Sequence, residues 1–440
     1  MTALPTERSE SAFADYKEAL SPVQAVAEAN RCLYCADAPC IQACPTGIEI
    51  PEFIRKISTG NVKGSARTIF EANILGMSCA RVCPVEVLCV GDCVYNEMDS
   101  PPIQIGKLQR YATDIAFEKG WKFFEAGKDT GKSVALIGAG PASLAAAHQL
   151  RRDGHRCTIY EKHSFTGGLN TTGVAPYKMR ADRSIQEVEW ILSIGGIDVK
   201  TGVTVGKDVT WDAIEKQHDA VFIGMGLGVD SKLGVPGENL AGIHGAVDFI
   251  EKMKVGKVDL SKVKRAAVIG GGNTAIDAVR ELAGLGIEEV LLVYRGEEPG
   301  MSGYMHEWEV AKLDNVRPLW RSLPIEFKGA GHVQAMRYTR VDTAKKPIAG
   351  SELEIPVDLV LLAIGQAKLG ELVAALPGIK TDKGRIVVDA NGFTGRKGYY
   401  AGGDCANGGK EVVNGAAEGK AAAIAINEYL RNSAKAAVGA

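Results

Sequence analysis

The chain has 440 residues, 46% of them apolar and 52 of them glycine, and its net charge is −2. That length suggests about three domains, and so even a balance offers no basic field to nucleic acid or an anionic membrane surface. The opening MTALPTERSESAFADYKEAL lacks the apolar centre of a signal peptide, and no run of about 18 apolar residues follows, so a cytoplasmic protein with no bilayer span is expected.

The first zone, about residues 1–125, carries eight of the ten cysteines, all between Cys32 and Cys93. Cys157 and Cys405 stand alone and read as small buried apolar residues. Residues 32–45, CLYCADAPCIQACP, set Cys32, Cys35, Cys40 and Cys44 in the spacing C-x2-C-x4-C-x3-C-P. A second set, Cys79, Cys83, Cys89 and Cys93, follows as C-x3-C-P-x4-C-x3-C. Disulfides suit neither set in a reducing compartment. Zinc would be a redox-silent bystander, and with no histidine before His148 a Cys2His2 site is excluded. Iron–sulfur clusters fit better, because they pass electrons singly. In two-cluster runs the last cysteine commonly serves the other cluster, so the two sets can exchange ligands. Between them PEFIRKISTG, NVKGSARTIFEANILG and IGKLQRYATDIAFEKG have helical apolar periodicity. AGKDTGK then reads as a linker.

The second zone opens with KSVALIGAGPASLAAAHQLRRDGHRCTIYEK, a strand at Val134–Ile137, a glycine turn, a helix and a second strand. Gly138, Gly140 and Ser143 give G-x-G-x-x-S. The first glycine permits the turn, the second lets a pyrophosphate approach, and Ser143 is small enough for close helix packing. Glu161 closes the next strand, where it can accept ribose hydroxyls. The third zone repeats the design at KRAAVIGGGNTAIDAVRELAGLGIEEVLLVYRG, with Gly270, Gly272 and Ala275 around Asn273 and Thr274. Its second strand ends in Arg295 followed by Glu297 and Glu298. One arginine can face a 2′-phosphate, but two glutamates would repel it, so NAD is expected over NADP. EIPVDLVLLAIG and RIVVDA read as strands. KMRADRSIQEVEWILS and MSGYMHEWEVAKL read as amphipathic helices, and His306 as a satisfied surface residue.

The tail, GYYAGGDCANGGKEVVNGAAEGKAAAIAINEYL, turns at Gly403 and Asp404 and enters a helix near Val412. It is expected to complete the second zone's sheet, which makes the third zone an insertion. Asp404 can hold a flavin hydroxyl, and the helix can aim its positive end at the ring. That assigns FAD to the first turn and the nicotinamide nucleotide to the second.

The stretches CADAPC, ACPTGI, LGMSCARVCPVEVLCVGDC, IGKLQRYATD, GAGPASLAAA, EKHSFTGGLNTTG, GGGNTAIDA and GKEVVNGAAEGK resemble the dihydropyrimidine dehydrogenase family, in particular the small flavin-bearing subunit of the bacterial NAD-dependent enzymes. The glutamate synthase small subunit is a wider relative. The resemblance implies an α/β chain: an α-helical iron–sulfur domain over residues 1–125, an FAD domain over 131–248 and 370–440, and an NAD(H) domain over 249–369 inserted in it. It implies two [4Fe–4S] clusters, one held by Cys32, Cys35, Cys40 and Cys93, the other by Cys44, Cys83, Cys89 and Gln109. Cys79 is then spare, whereas spacing alone would count it as a ligand and leave Gln109 facing solvent. For flavin it implies Ala142, Ser143, Glu161, Gly168, Leu169, Lys178, Gly403, Asp404, Lys410, Glu411 and Val412. For the nicotinamide nucleotide it implies Gly271, Gly272, Asn273, Thr274, Arg295 and the strand end Ala363–Gly365. No residue of this chain need act as acid or base, since hydride transfer asks for orientation. The implied partner is a large subunit with FMN and iron–sulfur clusters, joined in a heterotetramer and reducing uracil or thymine. The rivals are a glutamate synthase small subunit, a ferredoxin–NAD(P) oxidoreductase-type or bifurcating subunit, and a zinc-stabilised scaffold.

Overall fold

The computed structural model describes residues 4–374 and 376–438. The first unit is helical: α1 (Pro22–Asn30), α2 (Pro39–Gln42), α3 (Ile50–Ser58), α4 (Val62–Ala72), α5 (Gly76–Val82) and α6 (Ile105–Glu118). Ser21 opens α1 with a capping box to Gln24, and Asn61 caps α4 through the Gly64 N–H. Phe53, Ile54 and Ile57 of α3 meet Ile69 and Phe70 of α4 in one core. Full burial of each such side chain favours folding by about 1.5–3 kcal/mol.

Next come β1 (Ser133–Ile137), α7 (Pro141–Arg152), β2 (Arg156–Glu161), α8 (Leu169–Thr172), α9 (Ala181–Leu192), β3 (Ile197–Thr201), α10 (Trp211–Gln217) and β4 (Ala220–Ile223). The chain then enters β5 (Ile243–Gly245), α11 (Ala246–Val255), β6 (Arg265–Ile269), α12 (Asn273–Gly284), β7 (Glu289–Val293), α13 (Met305–Leu313) and β8 (Arg317–Leu319). Strands β9 (Ser322–Lys328), β10 (Ala335–Arg340) and β11 (Leu353–Pro356) form an antiparallel sheet, and β12 (Leu359–Leu362) returns to the parallel one. After the small hairpin β13 (Thr381–Asp382) and β14 (Arg385–Ile386), β15 (Tyr399–Ala401), α14 (Asp404–Asn407) and α15 (Val412–Val438) follow.

The first parallel sheet has the order β15-β4-β1-β2-β3 and the second β5-β12-β6-β7-β8. Because β15 pairs with β4, the tail completes the sheet that β1 began, and the second sheet is inserted between them. Strand β5 pairs with β12, and Ala246 and Phe249 enter the same core as Val268 and Leu361. The segment from Ile243 therefore sits with the second sheet, ahead of the boundary at 249 that the sequence suggested. The RIVVDA run yields only the two-residue β14.

An aromatic cluster and an ion pair are among the contacts that fix the helical unit on the first sheet's helices. Phe70 lies 4.6 Å from Trp190 of α9, and Phe117 5.4 Å from it, as ring centroids. Arg152 of α7 pairs with Glu71 of α4 at 2.6 Å. Among the described residues no helix is long and apolar enough to cross a membrane.

Candidate functional site

The thiols fall into two groups that cut across their order in the chain. Cys32, Cys35, Cys40 and Cys93 line one apolar hollow together with Ile50, Ile54, Ile103 and Ile105. Burial, reinforced by Cys32, Cys93 and Cys35, pushes the Cys40 thiol up to about 12. Burial likewise raises Cys32, which feels Cys35 and Cys93. The second group is Cys83, Cys89 and Cys44, with Cys79 hydrogen-bonded to Cys83. Cys89 is raised by burial and then by Cys83 and Cys44. Cys83 is raised well above its usual value by a hydrogen bond to Cys79 and by burial, with Cys44 adding to it. Clustered thiols in apolar surroundings resist ionisation, and a cationic metal centre reverses that preference. Among the described residues no three Cys, His, Asp or Glu side chains converge on a point that one ion could share. Four thiols set around a hollow suit a multi-iron cluster better than tetrahedral zinc with its bonds of about 2.3 Å.

Gln109 is 7% exposed, and its Nε2 donates to the Gly76 carbonyl at 2.8 Å. It is an interior residue and not the solvent-facing one its helix position alone suggested. Cys79 is buried and accepts from Asn73 Nδ2 at 3.1 Å. Cys157 and Cys405 are 1% and 3% exposed, the small interior residues expected.

At the first glycine turn Gly138 has φ +92°, and a Cβ there would lie 2.7 Å from the Gly224 carbonyl oxygen. Gly140 is the N-cap of α7, no side chain caps it, and the space before it is open. Free N–H groups facing open space are what a pyrophosphate needs. Ala142 is buried, and Ser143 lies wholly inside with an unpartnered Oγ where a Cβ on Gly224 would be. That hydroxyl packs helix on strand, as the small third position requires. Glu161 Oε2 accepts from the Ala139 N–H at 2.7 Å and Oε1 from the His163 N–H at 2.8 Å. Its carboxylate is thus held directly under the turn. Gly168, with φ +55°, comes so close to Gly140 that a Cβ would sit 2.9 Å from the Gly140 Cα; Leu169 begins α8 beside it.

The tail closes over this turn. Gly403 (φ +74°) donates to Glu418 Oε2 at 2.6 Å. Asp404, its carboxyl raised by burial, accepts from the Lys410 N–H at 3.2 Å. Glu411, also raised by burial, accepts from the Tyr304 hydroxyl at 2.8 Å, and Val412 starts α15. Lys178 lies where the two sheet units meet. Its ammonium pairs with Asp277 at 2.9 Å and Glu307 at 2.8 Å, joining the two sheet units.

At the second turn Gly270 has φ +152°, and a Cβ would meet the Ala363 carbonyl oxygen at 2.3 Å. A Cβ on Gly271 would strike the Tyr294 ring at 2.6 Å. Gly272 is the N-cap of α12, again without a side-chain cap. Asn273 Oδ1 accepts from the Tyr304 N–H at 2.8 Å, and Thr274 follows in the first turn of the helix. Gly365, with φ +107°, has open space before it. Arg295 is exposed, with no ion pair among the described residues. The two glutamates after it are both engaged: Glu297 by Arg321 at 2.6 Å, Glu298 by Lys312 and by Trp308 Nε1, each at 2.9 Å. Their repulsion of a 2′-phosphate is therefore weaker than the sequence implied. His306 reaches Glu86 of the helical unit at 3.4 Å and stacks on Tyr304.

Residues 8–121 match the family described as dihydropyrimidine dehydrogenase domain II, 4Fe-4S cluster, and residues 132–419 match the pyridine nucleotide-disulphide oxidoreductase family. Over 416 residues the chain is 34% identical to the NAD-dependent dihydropyrimidine dehydrogenase subunit PreT of Escherichia coli O157:H7, covering 94% of this chain and 96% of that one. Over 445 residues it is 33% identical to the NADPH glutamate synthase small chain of Escherichia coli K12, covering 95% and 94%. The chain belongs to the family of dihydropyrimidine dehydrogenase and glutamate synthase small subunits. As a member of that family it is an oxidoreductase with electron-transfer, iron–sulfur and pyridine-nucleotide chemistry. In fold it is similar to FprA of Mycobacterium tuberculosis, with 22% identity, a TM-score of 0.57, and coverage of 70% of this chain and 86% of that one. The thioredoxin reductase of T. acidophilum gives 22% identity and 0.55, over 68% and 98%.

Sequence reasoning missed Tyr304, Glu187 and Glu418, which join separate elements. No local spacing marks them: Tyr304 and Glu187 act on partners far along the chain, and Glu418 reaches back along the tail to Gly403 and Asn407.

Proposed function

We propose that the chain is the electron-input subunit of a dihydropyrimidine dehydrogenase, taking reducing equivalents from NADH and handing them to a partner subunit that carries FMN and reduces uracil or thymine. The observation that carries this reading is the apposition of α5, which leads into Cys83, with α8, which Gly168 opens: Asn170 Nδ2 of α8 donates to Ser78 Oγ of α5 at 2.9 Å. A flavin bound at the first turn would accept a hydride, and two [4Fe–4S] clusters would release its electrons singly. The residues of this chain bind and orient. The N-terminus of α7 holds the pyrophosphate, with Glu161 and Asp404 placed for hydroxyls of the bound nucleotide. The N-terminus of α15 favours negative charge on the ring. Cys32, Cys35, Cys40 and Cys93 would hold one cluster, and Cys44, Cys83, Cys89 and Gln109 the other, with Cys79 left to Asn73.

At the second turn the N-terminus of α12 holds the dinucleotide phosphates. Arg321, which could offer a second guanidinium, is tied to Glu297. A two-arginine clamp is thus still missing, which supports NADH as the donor. We expect a higher kcat/KM with NADH than with NADPH in steady-state assays. Arg295→Ala should raise KM for NADPH about tenfold, the worth of one lost charge-assisted bond, and leave NADH nearly unchanged. A wild-type preference for NADPH would contradict the nucleotide assignment.

A glutamate synthase small subunit is the second reading, supported by a relative of that name at nearly the same identity. Purification with the neighbouring chain separates the two. NADH oxidation should require uracil or thymine. Turnover only with 2-oxoglutarate and glutamine would replace our reading by the second.

A further inference from the structure

Helix α5 begins without a cap of its own. Its N-cap is Leu75, and no side chain of that segment satisfies its first N–H groups. Ordinarily a nearby Ser, Thr, Asp or Asn does so. Here the acceptor is Glu187 of α9, far along the chain in the flavin unit. Its Oε1 accepts from the Met77 N–H at 2.8 Å and, with Oε2, from the Ser78 N–H at 3.2 Å. The Ser78 hydroxyl donates to Oε2 and itself accepts from Asn170 Nδ2 at 2.9 Å. One residue back, the Gly76 carbonyl accepts from Gln109 Nε2. A continuous buried seam therefore runs from the flavin loop through Ser78 to Glu187, against the helix that leads into Cys83.

The charge of Glu187 has no counter-ion to itself. It is wholly buried. The charged group that faces it from α5 is Arg81, whose guanidinium is bound to Asp114 of α6 at 2.6 Å. Behind that pair stand Arg110 and Asp15. Asn170 from α8 and Ser184 from α9 complete the seam and are uncharged. A buried anion without a dedicated cation is unfavourable, and its field acts strongly on whatever lies near it.

We propose that Glu187 is the positioning residue for transfer between the flavin and the second thiol set: it fixes α5 against the flavin loop, and its charge sets the potential of the centre held by Cys44, Cys83, Cys89 and Gln109. This rests on the cofactor assignments proposed above. The anion disfavours an added electron, so the potential is lower when Glu187 is ionised. An electron that arrived there, drawn from the pyridine nucleotide, would then favour uptake of a proton by Glu187 wherever that carboxyl is still ionised, with at most one proton per electron. Burial outweighs the Ser78 and Met77 bonds and raises this carboxyl to about 7, so the coupling falls in an accessible range.

The test is an EPR-monitored redox titration of the anaerobically purified, iron-loaded protein at pH 5.5 and pH 8.5. The potential of the second centre should fall as pH rises in the wild type. In Glu187→Gln it should be insensitive to pH and lie above the wild type at pH 8.5, while the two agree at pH 5.5. Flavin bleaching by NADH should be unchanged. A wild-type potential that does not move with pH overturns the proposal without need of any variant. So does a loaded Glu187→Gln protein that retains the wild-type slope. Protein devoid of iron or flavin overturns the cofactor reading as well, which distinguishes the two failures.

Discussion

Cys93→Ser should yield a protein with about half the iron of the wild type, two [4Fe–4S] clusters being reduced to one. Cys93 closes the hollow lined by Cys32, Cys35 and Cys40, although it follows them by a long stretch of chain. It is 9% exposed, so solvent cannot replace the lost thiolate without opening the core around Ile54 and Ile105. Loss of a metal centre is also loss of folding free energy, because the ligands are assembled only in the native state. The helical unit should therefore melt earlier, while the flavin unit still takes a hydride from NADH. Delivery of electrons to any partner should fall at least a hundredfold. Cys79→Ser is the matched control. With Asn73 as its partner, Cys79 should be replaceable with full iron content. An iron count halved by Cys79→Ser and unaffected by Gln109→Leu would return the second set to the ligands that spacing alone suggests.

Gly419→Ala should release flavin and lower the melting temperature by about 2–4 °C for each kcal/mol of net destabilisation. Two effects oppose one another here. Alanine in a helix interior is favoured over glycine by about 1 kcal/mol. Against that, a Cβ at Gly419 would lie 2.0 Å from the Ala142 carbonyl oxygen and 2.8 Å from its carbon, both backbone atoms of α7. Backbone cannot swing aside as a side chain can, and overpacking of this kind costs about 1–3 kcal/mol or more. Sterics should win. The consequence reaches the site, because α7 and α15 each bring an N-terminus to the first glycine turn, and pushing them apart separates Gly140 from Val412. The ratio of flavin to protein after gel filtration, with a thermal melt, checks both parts. A variant that keeps its flavin and melts at or above the wild-type temperature would show that the helices are not locked at this point.

The parts of this account that were legible in the sequence are those written in local spacing. Strand, glycine turn and helix follow one another within a dozen residues at Gly138 and at Gly270, and the structure has those elements there. The return of the tail to the first sheet was readable because its glycines and acid follow a strand-like run, and β15 indeed pairs with β4. What stayed hidden was long-range. Nothing near Cys93 says that it belongs with Cys32; that grouping came from the resemblance and not from spacing. Glu187 reads as one more polar position on an amphipathic helix, yet it caps a helix of another unit. Glu297 and Glu298 read as free charges until the fold brings Arg321 and Lys312 to them. Lys178 was carried over by resemblance, and no spacing announced its ion pairs with Asp277 and Glu307 of the inserted unit. The short edge strand β5 lacks any periodic signal, since three residues define no pattern.

In our proposal one chain joins a pyridine-nucleotide site to a flavin and to two iron–sulfur centres. This is tested most directly by assaying anaerobically purified protein for flavin, iron and acid-labile sulfide, then adding NADH and recording the visible and EPR spectra. The protein should contain FAD, about eight iron and about eight sulfide per chain, with both chromophores reduced by NADH alone. Protein free of iron and labile sulfide, or clusters that NADH leaves oxidised while the flavin bleaches, would contradict it.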